Sequence, residues 1–131
     1  MVLVDTSAWI GLLRNADRPA IKTLERLLDS ETSVMVTPLV LQEILQGAAS
    51  EKEYRLLKNY LSTQRFYNPG DSIESYAKAA RIYVDCRKKG ITIRSTIDCL
   101  IAMTALEHDL FLLHNDNDYV LMRKVVPLKF Y

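Results

Sequence analysis

The chain has 131 residues, 49% of them apolar and 25% charged, the size and composition of one globular domain with a single core. Its 17 basic and 16 acidic side chains leave a net charge of +1, which excludes binding to nucleic acid by bulk charge but not through a local basic patch. Two cysteines without disulfide or zinc spacing, and no apolar run near the roughly 20 residues that span a bilayer, predict a reduced, cytoplasmic protein with no membrane segment.

Val2, Leu3 and Val4 form an apolar run too short and too uniform for anything but a central strand buried on both faces. No basic segment followed by a long apolar one is present there, so no signal peptide is expected. Thr6 or Ser7 is suited to cap a short helix through Leu13. Asp17 is placed to cap a second helix, with Pro19 in its first turn and Ile21, Leu24, Leu27 and Leu28 on one face. Val34 to Val36 predict a second strand. Thr37 as N-cap and Pro38 at the first helical position open a helix that passes through Glu43 and stops near Gly47. Ser50 and Glu53 form a capping box for a helix with Tyr54, Leu57 and Leu61 inward. After a turn at Asn68 to Asp71, the next helix carries Ile73, Tyr76, Ala77, Ala80, Tyr83 and Val84 on one face. It ends in Arg87, Lys88 and Lys89 before Gly90. Ser95 and Asp98 repeat the capping-box pattern and open a helix through Leu106. Phe111 to Leu113 read as a third buried strand, followed by a short helix near residues 117–123 and a last strand around residues 125–128. Strands alternating with helices predict one domain over residues 1–131. Its class is α/β, a three-layer α/β/α arrangement around a short, mostly parallel sheet.

In such a sheet ligands sit outside the carboxyl ends of the strands. Asp5 ends the first strand, and Asp116 and Asp118 follow the strand at 111–113. Asp98 lies in the first turn of a helix, facing the positive end of its dipole. Glu43 shares a polar stripe with Gln42 and Gln46. Each acid alone also has a plain structural explanation. Asp98 can cap, Glu43 can be solvated, and Asp116 and Asp118 can shape a turn. Asp5 fits least well, because a carboxylate at the end of a buried strand needs partners or a cation. Gathered together, these carboxylates repel one another, and a divalent cation removes the conflict. Hard oxygen ligands suit Mg²⁺ or Mn²⁺, and such a centre is suited to phosphodiester hydrolysis. His108 and His114 are isolated and offer no zinc cluster.

Four short motifs in order carry a resemblance over essentially the whole chain. They are the apolar strand ending in Asp5-Thr6-Ser7, Glu43 in the helix after Thr37-Pro38, Asp98 in Thr96-Ile97-Asp98-Cys99, and Asn115-Asp116-Asn117-Asp118-Tyr119. They resemble the PIN-domain nucleases, and in length and spacing the VapC-type toxins of toxin–antitoxin pairs. The resemblance implies a metal-binding quartet of Asp5, Glu43, Asp98 and Asp116, with Asp118 at a more variable acidic position. Thr6, Ser7 and Asn115 match polar positions beside the site. A tyrosine stands at 119 where the family often has phenylalanine. The implied activity is endoribonuclease action, dependent on Mg²⁺ or Mn²⁺, on structured RNA such as transfer RNA. A homodimer and a small inhibitory antitoxin partner are implied as well. Arg14, Lys22, Arg26 and the cluster Arg87, Lys88, Lys89 and Arg94 are candidates for phosphate contacts.

Two rivals belong to other classes. A Mg²⁺-binding receiver domain of a signalling pathway needs a second acid beside Asp5 and an Asp after the middle strand. Here Val36 runs into Thr37 and Pro38 instead. A PIN fold that binds RNA without cutting it is opposed by the intact set of acids.

Overall fold

The computed structural model describes residues 1–131. The elements in chain order are β1 (Val2–Val4), α1 (Thr6–Leu13), α2 (Pro19–Leu28), β2 (Val34–Val36), α3 (Pro38–Gln46), α4 (Glu51–Leu61) and β3 (Arg65–Phe66). They continue with α5 (Glu74–Lys88), α6 (Thr96–Glu107), β4 (Phe111–Leu113), α7 (Asn117–Met122) and β5 (Lys129–Phe130). The strands form one sheet in the order β3-β2-β1-β4-β5. All four pairings are parallel, with Leu3 opposite Met35 on one side and Leu112 on the other. From β1 the chain steps outward to β2 and β3, then returns to β4 and continues to β5. Parallel crossovers keep one hand, so this reversal puts α1 to α4 on one face and α5 to α7 on the other. The helix contacts agree: α1 packs on α2 and α3, α3 on α4, and α5 on α6 and α7.

β1 and β2 are buried along their full length, as uniformly apolar central strands require. α6 buries seven consecutive residues, Cys99 to Ala105, because sheet and helices surround it. At the crossing of α1 and α2, a Cβ on Gly11 would run into the Ile21 side chain, so glycine permits the close approach.

The structure moves several expected features. Asp5 itself, not Thr6 or Ser7, is the N-cap of α1, and Thr6 is already helical. Arg18 occupies the cap position of α2 and makes no capping bond, while Asp17 pairs with Lys22 at 2.7 Å. Pro19 needs no donor partner, so that helix starts without a side-chain cap. β3 has no sequence signal because two half-exposed residues show no periodicity. β5 lies at Lys129–Phe130, beyond the expected 125–128, since Pro127 cannot donate to the ladder. On α4, Leu61 is buried but Tyr54 is exposed.

The largest difference concerns α5. Its buried residues are Ser75, Ala79, Ile82 and Cys86, and the bulkier apolar face points outward. Small side chains let α5 lie close along α6, and the Ser75 hydroxyl donates to Glu107 Oε1 at 2.6 Å. Ile73 and Tyr76 are left 80% and 54% exposed.

Candidate active site

β1 and β4 are neighbours, but the connections leaving them run to opposite sides of the sheet. Their carboxyl ends therefore bound the topological switch point, the crevice where α/β folds bind ligands. Every acid singled out from the sequence lies around it. Asp5 follows β1, Glu43 is in the second turn of α3, Asp98 is in the first turn of α6, and Asp116 and Asp118 open α7.

Asp5 continues the sheet, its N–H donating to the Leu113 carbonyl at 2.9 Å, and is 3% exposed. Oδ2 accepts from the Ser7 N–H at 2.9 Å and the Ser7 hydroxyl at 2.5 Å. Oδ1 accepts from the Tyr119 hydroxyl at 2.6 Å. Three donors and a helix N-terminus compensate the buried charge. The Ser7 hydroxyl also accepts from the Asn115 N–H at 2.9 Å, which ties the end of β1 to the loop after β4. Burial, with the charge of Asp5 next, pushes the Tyr119 hydroxyl well above its ordinary range, so it remains a donor. Tyr119→Phe strips Oδ1 of that donor at a buried position. We expect a loss of about 1–3 kcal/mol in the metal-free protein, read by urea denaturation. Unchanged stability would mean that Tyr119 does not support Asp5.

Glu43 Oε2 accepts from the Thr6 hydroxyl at 2.5 Å. Burial raises the Glu43 pKa, the Thr6 bond opposes this, and the charge of Asp5 adds to it. Asp98 differs from the others. Ser95 stands at the N-cap of α6 but makes no capping bond, and the Asp98 carboxylate receives no hydrogen bond from the protein. The capping box expected there does not form. Burial first, then the charges of Asp5, Asp116, Glu43 and Asp118, push the Asp98 pKa up to about 7.

Asp116 caps α7, its Oδ1 accepting from the Asp118 N–H at 2.9 Å and from Arg94 Nη2 at 2.8 Å. Asp118, 4% exposed, accepts the Arg94 backbone N–H at 3.0 Å. Asp98, Asp116 and Asp118 can each offer a carboxylate oxygen within 4.8 Å of the others. That tight group does not extend to Asp5 or Glu43, which border it and act on Asp98 through charge. Thr6 and Ser7 serve as donors to these acids, while Asn115 contributes its backbone N–H and is otherwise exposed. Burial lowers the His114 pKa, and its Nδ1 accepts from the Asp116 N–H at 3.2 Å. The ring packs on Tyr119 and Phe130, so His114 supports the loop. Sequence reasoning missed the part played by Tyr119. Its signal was an aromatic residue three positions after Asp116 on the same short helix.

The donor set is all carboxylate oxygen, one member lacks any donor, and mutual repulsion is visible in the protonation of Asp98. This chemistry fits a hard divalent cation.

A family model for the PIN domain matches residues 2–125. Ribonuclease VapC11 of Mycobacterium tuberculosis is 34% identical over 131 residues, covering 98% of this chain and 96% of that protein. VapC ribonuclease Mb1587 of Mycobacterium bovis is equally similar over the same span. The chain belongs to the PIN-domain family, among its VapC-type toxin ribonucleases. The fold is likewise that of VapBC from Salmonella typhimurium, with a TM-score of 0.74 at 18% identity over 99% of this chain and 96% of that one. VapC20 from Mycobacterium tuberculosis, a "Sarcin-Ricin loop cleaving toxin", gives 0.68 at 22% identity over 92% and 93%.

Proposed function

We propose that this protein is a Mg²⁺- or Mn²⁺-dependent endoribonuclease, the toxin of a toxin–antitoxin pair, acting in the cytoplasm on structured RNA such as transfer RNA. The observation that carries the metal dependence is Asp98, a half-buried carboxylate without a donor that shares a group of oxygens within 4.8 Å with Asp116 and Asp118, its pKa raised by burial first and then by the charges of its acidic neighbours. Asp98 and Asp116, bordered by Asp5 and Glu43, would hold the cation. Asp118 is adjacent, and Arg94 bonds both it and Asp116. When bound, the ion would polarise the phosphoryl oxygen and lower the pKa of a water. The chain's own residues fix the frame. Ser7 and Tyr119 hold Asp5, Thr6 orients Glu43, and the Asp118 N–H and Arg94 orient Asp116. No side chain stands ready as a nucleophile. The Ser7 hydroxyl is engaged by Asp5 and Asn115, and burial pushes the nearby Cys99 thiol up to about 11. A water activated at the cation would be the attacking group, and chelation of divalent ions should stop the cleavage of RNA by the purified protein.

The antitoxin reading is supported by the solved VapBC relatives, and the structured-RNA reading by the fold relative that cleaves the sarcin–ricin loop. The homodimer is supported by the outward face of α5. Tyr76, Ala80 and Tyr83 form an apolar groove with Ile97, Leu100 and Leu39 beside the acidic crevice. Aromatic residues concentrated on an exposed apolar patch mark an interface. Tyr76→Glu would put a charge at its centre. We expect wild type to sediment as a dimer at micromolar concentration and the variant as the 15.0 kDa chain. A dimer unchanged by this substitution would assign pairing to another face.

A further inference from the structure

Arg94 is the cation in contact with the acidic group, and its geometry is unusual for a surface ion pair. It lies in the segment before α6, with its side chain 71% exposed. Yet its head is fixed from behind. Nε–H donates to Asp118 at 3.2 Å to Oδ2 and 3.3 Å to Oδ1, and Nη2 donates to Asp116 at 2.8 Å. The backbone N–H of the same residue donates to Asp118 Oδ2 at 3.0 Å. Asp118 thus grips both ends of Arg94, and its own side chain is only 6% exposed. The guanidinium carries five N–H donors in a rigid plane, so several remain directed away from the two carboxylates.

Part of this arrangement is structural, because the Arg94 backbone and side chain supply the donors that the buried Asp118 carboxylate needs. Charge balance for the whole crevice is not achieved by it. Arg94 bonds Asp116 and Asp118 but leaves Asp98, the acid most burdened by its neighbours, without a partner. A second role, for the exposed edge of the guanidinium, follows from the substrate. Five acids around one crevice repel a polyanion, and a net charge of +1 gives no general attraction to offset them. An RNA phosphate needs a fixed cation at the rim, and a guanidinium fork matches phosphate oxygens in pairs.

We propose that Arg94 is a substrate-binding residue that takes an RNA phosphate beside the acidic crevice, and that Asp118 is the positioning residue that aims its guanidinium. The inference rests on the ribonuclease reading and adds the contact by which the backbone is held. Asp116 is 26% exposed, so its bond to Nη2 can exchange for one to phosphate while the grip of Asp118 persists.

The test measures binding of a labelled RNA hairpin in EDTA, across a series of salt concentrations. Arg94→Ala should weaken binding about tenfold and flatten the slope of log affinity against log salt by about 0.7, one phosphate contact. Arg94→Lys keeps the charge and should keep the slope, with affinity between the two. Asp118→Asn should weaken binding in the same direction, and the double variant should lose little more than Arg94→Ala, because the two residues act as one unit. With Mn²⁺ present, Arg94→Ala should raise KM with a smaller change in kcat. The Mn²⁺-induced rise in melting temperature should persist in both Arg94→Ala and Asp118→Asn. Equal RNA binding by wild type and Arg94→Ala, or no binding by either, overturns the proposal. So does loss of the Mn²⁺ response in Asp118→Asn, which would make Asp118 a metal ligand. Failure of wild type to cut RNA with Mn²⁺ would instead overturn the ribonuclease reading itself.

Discussion

Asp98→Asn should lower RNA cleavage by more than about 100-fold, since even the partners behind metal ligands are worth about 10–100-fold. The metal-free variant should be as stable as wild type or more so. Both outcomes follow from one feature of the site. The Asp98 carboxylate receives no hydrogen bond, while burial first, then the charges of Asp5, Asp116, Glu43 and Asp118, act against its ionisation. Asparagine keeps the shape, removes the charge and relieves that repulsion. A capping aspartate would behave in the opposite way. Its replacement would cost up to about 1 kcal/mol, because asparagine also caps, and activity would survive. The Mn²⁺-dependent rise in melting temperature should shrink in the variant, because stabilisation by a ligand follows its affinity.

The pH dependence of the metal-free protein adds a sign to this prediction. The folded chain holds the Asp98 proton up to about pH 7, whereas an unstructured aspartate releases it near 3.8. Between those values the folded state binds more protons, so the contribution of Asp98 is present in acid and is lost as pH rises towards 7. Glu43, also raised, acts in the same direction. His114 acts oppositely. Burial lowers its pKa, so acidification through the ordinary histidine range destabilises the fold. Wild type should therefore lose stability between about pH 6 and 7.5, with the two effects partly cancelling below that. In Asp98→Asn the histidine effect stands with far less opposition, and stability should rise with pH through the same region. Melting curves in EDTA from pH 5 to 8 check the reversal. Parallel profiles for the two proteins would remove Asp98 from the electrostatic group.

Much of this was legible in the residues. Val2 to Val4 could only be a central strand and Phe111 to Leu113 read as a buried one, although Phe111 itself is exposed, and the acids behind both marked the carboxyl edge. Thr37, Pro38, Ser50 and Glu53 announced their helices by local hydrogen-bonding chemistry, and the caps formed as expected. What failed depended on tertiary context. Periodicity on α5 identified an apolar face but not which neighbour it meets. The inward positions went to Ser75 and Ala79 because α6 comes close, and Ile73 and Tyr76 were left exposed. Ser95 and Asp98 had the spacing of a capping box, yet the carboxylate turned to the crevice instead of back to the helix end. The grip of Asp118 on Arg94 joins residues 24 positions apart, beyond any local pattern.

The central claim is that this group of carboxylates works by holding a divalent cation. The most direct measurement follows cleavage of a structured RNA by the purified wild-type protein under single-turnover conditions. EDTA is added first, and Mg²⁺ or Mn²⁺ is then titrated back. Without the cation, Asp5, Glu43 and Asp116 keep their hydrogen-bond donors but Asp98 has none, and burial and its acidic neighbours raise its pKa to about 7. With it, these carboxylates would serve as ligands, and the ion would supply an electrophile and lower the pKa of a water. No cleavage above background is expected in EDTA. Restored cleavage should saturate over the same metal concentrations that raise the melting temperature. Full cleavage in EDTA, at the rate seen with Mn²⁺, would contradict it.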